Sequence, residues 1–152
     1  MNPNLGKDLR VLPYFSATDS SSLDLLSSDR LAQKSGGKEE LSDLSVFDGR
    51  ENLAQALTLR LLTPKGSLRA LGHANYGSRL HELIGELKNQ ANRNLCRLFV
   101  LETVAQEPRV EDKAVAFSFD LNRETASSFY FDLAVKPITE DSIVNVSLEV
   151  GL

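Results

Sequence analysis

The hydrophobic positions of this chain change their period once, near residue 109. Upstream, from Asp48, apolar residues recur every three or four positions, and downstream they alternate. Leu53, Ala56, Leu57 and Leu61 form one stripe of a helix that starts after the Asp48-Gly49 turn signal and stops at Thr63-Pro64-Lys65-Gly66. Pro64 cannot donate the next backbone hydrogen bond, and it disfavours helical geometry at Thr63. A loop marked by Gly72 and Gly77 follows. Ser78 is placed to cap a second, short helix whose buried face is Leu80, Leu83, Ile84 and Leu87. His81 stands at its third position, so a reciprocal capping box is absent. Asn89 caps a third and longest helix. Its run from Leu95 to Val104 is apolar on more than one side, the pattern of a helix sandwiched between other elements. That helix ends near Gln106, because Pro108 pushes Glu107 out of helical geometry.

Beyond Pro108 three alternating runs predict strands. They are Val115, Phe117 and Phe119; then Phe129, Phe131, Leu133 and Val135; then Val144, Val146, Leu148 and Val150. Breaks fall at Asp120 to Ser127 and at Pro137 to Ser142. The expected class is α+β in a single domain, with about three helices over 50–106 packed on a mostly antiparallel sheet over 109–152. The domain proper spans 48–152, behind an N-terminal segment, 1–47, that is part strand and part flexible. Leu9 to Phe15 can add a short strand, with Pro13 favouring an edge position. Residues 16–45 are rich in Ser and Asp, with a break at Gly36-Gly37. The apolar patches Leu23, Leu25, Leu26 and Leu31 are expected to dock or to form a short helix, ordering against a partner. No internal repeat is evident.

Composition narrows the function classes. The chain has 152 residues, 41% hydrophobic and 25% charged, an ordinary globular balance. No run approaches a membrane span, and the first residues lack the apolar core of a secretory signal. The expectation is a protein that folds and acts in the cytoplasm, without direct membrane contact. Cys96 stands alone, which excludes an internal disulfide, and two histidines are too few and scattered for a zinc site. No metal or other cofactor is expected. The net charge of −4 gives no sign of nucleic acid binding. It conceals a pattern: residues 50–109 balance at +4, residues 110–152 at −5 and residues 1–49 at −3. A basic middle between acidic ends suits a protein that meets different neighbours on different faces.

Glu107-Pro108-Arg109 is the sharpest local feature. Pro108 stiffens the handover from helix to strand, and in an extended conformation Glu107 and Arg109 point to the same side. Arg109 adds a planar fork suited to carboxylates or backbone carbonyls. The last strand, unless the N-terminal strand shields it, which is the commoner arrangement, offers an edge to which another chain can add a strand. Catalytic readings are weaker. Glu82 and Glu86 lie one helical turn apart, the spacing of a solvated face, and nothing sets one carboxylate apart as a glycosidase acid. His73 and His81 read as loop or packing residues, and Cys96 as a small buried apolar residue with no flanking His to activate it. The glycines of LGHANYGSRL lack the phosphate-cradling pattern of a nucleotide loop. No catalytic residues are assigned, and no enzymatic activity is expected.

Taken in order, NLAQALTLRLLTPKGSLRALG, YGSRLHELIG and NLCRLFVLETVAQEPRV resemble the small wedge subunit of contractile tails, the gene-product-twenty-five-like baseplate family. The resemblance covers residues 48–118 and, more loosely, the strands that follow. The family's signature tripeptide is matched by Glu107, Pro108 and Arg109. The resemblance implies that this tripeptide contacts the core bundle of the larger wedge proteins. It also implies that the sheet accepts strands from the first sheath ring, through Val144, Val146, Leu148 and Val150. Six copies per baseplate would join wedge to sheath and start sheath assembly, with tube or hub proteins as further neighbours. The TPKGSLRALGHANYGSRL block is closer to phage and extracellular-injection members than to type VI ones. Ala74 stands where many relatives carry Pro, and residues 16–45 have no aligned counterpart. The same fold serves a regulatory anti-adaptor, and some relatives carry a lysozyme label; these are the alternative readings.

Overall fold

The computed structural model describes residues 6–9, 27–34, 37–44, 46–138 and 141–152. Strand β1 (Lys7–Leu9) pairs antiparallel with β4 (Val46–Asp48), and β2 (Ser27–Lys34) pairs with β3 (Gly37–Leu44) along its whole length. Leu31 therefore sits in a strand and not in the short helix that was one expectation. Leu23, Leu25 and Leu26 lie outside the described residues, as does the 10–15 part of the expected N-terminal strand. Gly37, where a break is expected, begins β3.

Helix α1 (Gly49–Leu62) carries the predicted stripe, with Leu53, Leu57 and Leu61 buried. Asn52, Gln55 and Thr58 are buried as well, so this helix is enclosed on most sides. Gln55 Nε2 donates to the carbonyl of Leu9 at 2.8 Å, which ties β1 to the helix. Helix α2 (Gln90–Ala105) starts where expected, because the Asn89 side chain accepts from the Asn92 N–H at 2.8 Å. Its buried side is Cys96, Phe99, Val100, Thr103 and Val104, whereas Leu98 stays 55% exposed. The second apolar side visible in the sequence is thus open among the described residues.

Among the described residues two α-helices form, and not three. Where the middle helix was expected there is a single 3₁₀ turn, Leu80–Leu83. Ile84 is already extended, and Gly85 takes φ +87°, so no further helical turn is possible. Leu80 and Leu83 reach the core, but Ile84 and Leu87 are 70% and 78% exposed. Ser78 is drawn away from simple capping: its hydroxyl donates to the carbonyl of Leu61 at 2.6 Å and accepts from the N–H of Leu80.

Strands β5 (Val110–Phe119), β6 (Ser128–Pro137) and β7 (Val144–Gly151) form an antiparallel sheet with β6 central. The α+β class is as the period change predicts. The pairing of β5 shifts between Val110 and Val115, where β5 carries three more residues than β6 over the same span. Phe129, Phe131, Leu133 and Val135 join Val144, Val146, Leu148 and Val150 on one face, against α1 and α2. One polar clamp fastens the β5–β6 turn to the start of α2. Glu124 accepts both guanidinium nitrogens of Arg93, at 2.5 and 2.7 Å, and pairs with Lys88 at 2.9 Å. Arg93 in turn lies over the rings of Phe119 and Phe129, at 4.7 and 4.8 Å.

The Arg93 hydrogen bonds outweigh burial and hold the Glu124 carboxyl down to about 2. Because the folded value lies below that of the unfolded chain, about 4.3, this contribution is complete above the unfolded value and is lost as pH falls toward the folded one. The resistance of the wild type to urea should fall as pH drops from about 5 to about 2. Glu124→Gln should be about 2 kcal/mol less stable at neutral pH, with a flatter acid limb. Parallel acid limbs for the two proteins would exclude Glu124 as the source.

Candidate functional site

The Glu107-Pro108-Arg109 corner is a tight turn and not the extended segment expected. The N–H of Glu107 donates to Val104 O at 2.9 Å, continuing the helical winding, and the N–H of Val110 donates back to Glu107 O at 3.1 Å. Pro108 is exposed at the tip, while Glu107 is 4% exposed and turned inward. The pair still meets, by a different route. Arg109 Nε donates to Glu107 Oε1 at 2.6 Å, and the Arg109 N–H reaches the same oxygen at 3.4 Å.

A third residue completes the site. Arg60, near the end of α1, brings Nη2 to 3.6 Å from Glu107 Oε2, and its Nη1 donates to Gln106 O at 3.5 Å. Its guanidinium also stacks 4.7 Å from the ring centroid of Tyr76. Burial alone would push the Glu107 carboxyl up. The hydrogen bond from Arg109 and the charges of Arg109 and Arg60 together reverse this and hold it below its ordinary value. Burial likewise raises the Tyr76 phenol, against the lowering influence of Arg60. Nothing in the periodicity singled out Arg60 or Tyr76. A signal was available for Arg60, since a charge inside the run Leu59 to Leu62 needs a buried partner.

Tyr76 is delivered by the loop between α1 and the 3₁₀ turn, which closes on itself. Ser78 N–H donates to Thr63 O and Lys65 N–H to Ser78 O, both at 2.8 Å. Gly77 makes that closure possible. It holds φ +106°, and a Cβ there would lie 2.4 Å from Thr63 O, so no other residue fits without moving backbone. Beside the corner runs a groove of about 530 Å³ lined by Ala105, Pro108, Val110, Glu111 and Ile138 among others. Ile138 is 62% exposed at its rim.

The second candidate region is β7. Val144, Val146, Leu148 and Val150 point their side chains into the core. Their backbone groups are engaged too. Leu152 N–H donates to Ser127 O at 2.8 Å in the β6–β7 register, and antiparallel ladders alternate between bonded and unbonded pairs. The bonded pairs therefore include Val144, Val146, Leu148 and Val150. Asn145, Ser147, Glu149 and Gly151 direct their N–H and C=O groups away from β6. Among the described residues no strand pairs with that outer side. The backbone hydrogen bonds of an incoming strand would go to these four residues, because the four that the alternation singled out use theirs on β6.

The remaining candidates are dispersed. Glu82 is exposed and held by Arg79 through two contacts of 2.8 Å, and Glu86 is exposed. His73 and His81 are both exposed. Cys96 is fully buried, and desolvation pushes its thiol up to about 12, far from a nucleophile's range. Among the described residues no three His, Cys, Asp or Glu side chains converge as metal ligands, and no helix is long and apolar enough to cross a membrane.

No protein-family model and no curated protein matches the chain. Its fold is shared with the crystal structure of a protein described as a "putative tail lysozyme" from Geobacter sulfurreducens. The two superpose with a TM-score of 0.56 at 17% identity, over 67% of this chain and 89% of that one. At that identity the likeness speaks for the α+β fold.

Removing the carboxylate should hurt the fold more than removing the tip. Glu107→Ala strands two guanidinium groups and should cost about 3 kcal/mol in chemical denaturation. Pro108→Ala, at an exposed turn, should stay within about 1 kcal/mol. A larger loss for the proline variant would overturn the central place of Glu107.

Proposed function

We propose that this chain is a non-catalytic structural subunit of a contractile tail baseplate, one that links larger wedge proteins to the first sheath ring and starts sheath assembly. The observation that carries the reading is the corner itself. The Glu107-Pro108-Arg109 tripeptide resembles the family signature, and it sits on a chain whose fold is shared with a protein described as belonging to a tail. The physical arrangement supports a docking role. Glu107 acts as an internal brace, holding Arg109 with its backbone turn, so that the exposed Pro108 tips a stiff corner beside a groove of mixed polar and apolar lining. A pre-shaped arginine loses less freedom on binding than a mobile one. The outward backbone of β7 supports strand addition by sheath. Assembly would take place in the cytoplasm with six copies around the tube, next to tube or hub proteins.

The description of the Geobacter protein raises a hydrolase reading as the alternative. Glycoside hydrolysis needs one carboxylic acid kept protonated by an apolar site. Glu107 is buried, but two guanidinium groups drive it the opposite way, toward the ionised form. Cell-wall clearing by the purified chain would favour the hydrolase over the connector.

Two variants separate the connector's faces when the chain is co-expressed with the larger wedge and sheath proteins of its own particle. Arg109→Ala leaves Glu107 with Arg60 alone and should lower stability, but should still be folded by circular dichroism and lose wedge binding by about thirty-fold. Its control Arg109→Lys, which keeps a cation on Glu107 without the planar fork, should be more stable and still bind wedge weakly. Ser147→Pro removes an N–H that β6 does not use, and proline is tolerated at such edge positions. It should keep the wedge and fail to recruit sheath. Full-length sheath on particles built with either variant would sink the role assigned to that face.

A further inference from the structure

Three features meet at the outer edge of β7 and together specify what kind of strand it takes. The first is the row of outward backbone groups at Asn145, Ser147, Glu149 and Gly151, spaced to bond a neighbouring strand. The second is a cleft of about 230 Å³ at the end of that edge, on the helix side of the sheet. Leu61, Leu62, Leu80, Ile84, Leu148 and Val150 make most of its wall. An apolar cavity of roughly 150 Å³ is enough to hold benzene, so this cleft admits one ring or branched aliphatic side chain. The third is charge. On the opposite side of the sheet, Glu149 accepts from the Ser128 hydroxyl and Asp132 from the Ser147 hydroxyl. Neither carboxylate has a basic partner among the described residues.

We infer that the β7 edge takes an extended partner segment with apolar residues on one side and Lys or Arg on the other. This rests on the strand-addition reading above and adds the chemistry of the partner. The geometry follows from the register. Residues of an added strand that lie across from Leu148 and Val150 share their face and aim at the cleft, while their neighbours aim at the side that carries Glu149 and Asp132. Apolar contact at one and charge pairing at the other set direction and register together, since a slip of one residue would exchange the two sides. A second copy of this chain fits poorly, because its own β7 brings another acidic edge against the first.

The test uses the intact, isotope-labelled chain and three synthetic heptapeptides: Lys-Val-Lys-Leu-Lys-Val-Lys, its Glu-for-Lys counterpart and its Thr-for-Lys counterpart. The lysine peptide should shift the amide resonances of residues 145–151 and bind at least ten-fold more tightly than the glutamate peptide. Glu149→Lys should reverse that order. Ile84→Asp, at an exposed position on the cleft wall, should weaken the lysine peptide about ten-fold, as should replacing its central Leu by Ala. Equal binding of the lysine and threonine peptides would overturn the basic partner while leaving strand addition in place. Unchanged affinity in Ile84→Asp would overturn the cleft as the apolar anchor. Silence at residues 145–151 with all three peptides, together with sheath recruitment by Ser147→Pro, would overturn strand addition itself. Concentration-dependent dimers that shift the same amides without peptide would replace the proposed partner by a second copy.

Discussion

Glu107 is the constraint around which the rest of the fold is arranged. A carboxylate this deeply buried is tolerable only if cations follow it in, and two do, from different parts of the chain. Arg109 comes from the turn that Glu107 begins, and Arg60 comes from the end of α1. Arg60 then brings the Tyr76 ring with it, so the loop after α1 is fastened to the turn after α2. A single charge thereby joins the places where both helices end and where the sheet starts. Apolar packing supplies cohesion throughout this core, but it does not by itself fix where two helix ends stand relative to each other.

The sheet shows a different economy of parts. Its central strand uses alternate residues to bond its two neighbours, and the same alternation decides what β7 shows to the outside. Even-numbered positions of β7 hold the core and the internal ladder. Among the described residues, the odd-numbered positions make two hydroxyl-to-carboxylate contacts with β6. The other edge of the sheet, β5, is unlike it. There α2 reaches over the aromatic rings, with Arg93 above Phe119 and Arg97 5.8 Å from the centre of Phe117. The two edges therefore present different chemistry, although both belong to one sheet.

Much of this was legible in the chain, and the failures have physical causes. The α+β class, the position of the period change, the Asn89 cap and the three strands all follow from local spacing, which is short-range information. The middle helix was misread because Leu80, Leu83, Ile84 and Leu87 match a helical stripe. Gly85 at positive φ ends the winding before Ile84 and Leu87 can turn inward. The two-residue spacing suggests that Glu107 and Arg109 are presented together on one side, but not that they bond each other across a turn. The inward turn of Glu107 depends on Arg60, 47 positions earlier in the chain. No periodicity carries a contact across that distance. On β7 the alternation correctly marked the buried face, and the backbone direction, which no side-chain pattern encodes, decided which residues bond β6 and which direct their backbone groups outward.

The ladder's alternation also separates two kinds of variation. In most strands a change that alters recognition risks altering the core, because both use the same side chains. Here Asn145, Ser147 and Glu149 can vary outside the core while Val144, Val146, Leu148 and Val150 are held by packing. A library randomised at the three odd positions would vary the outward face of the edge strand on a scaffold whose interior stays the same.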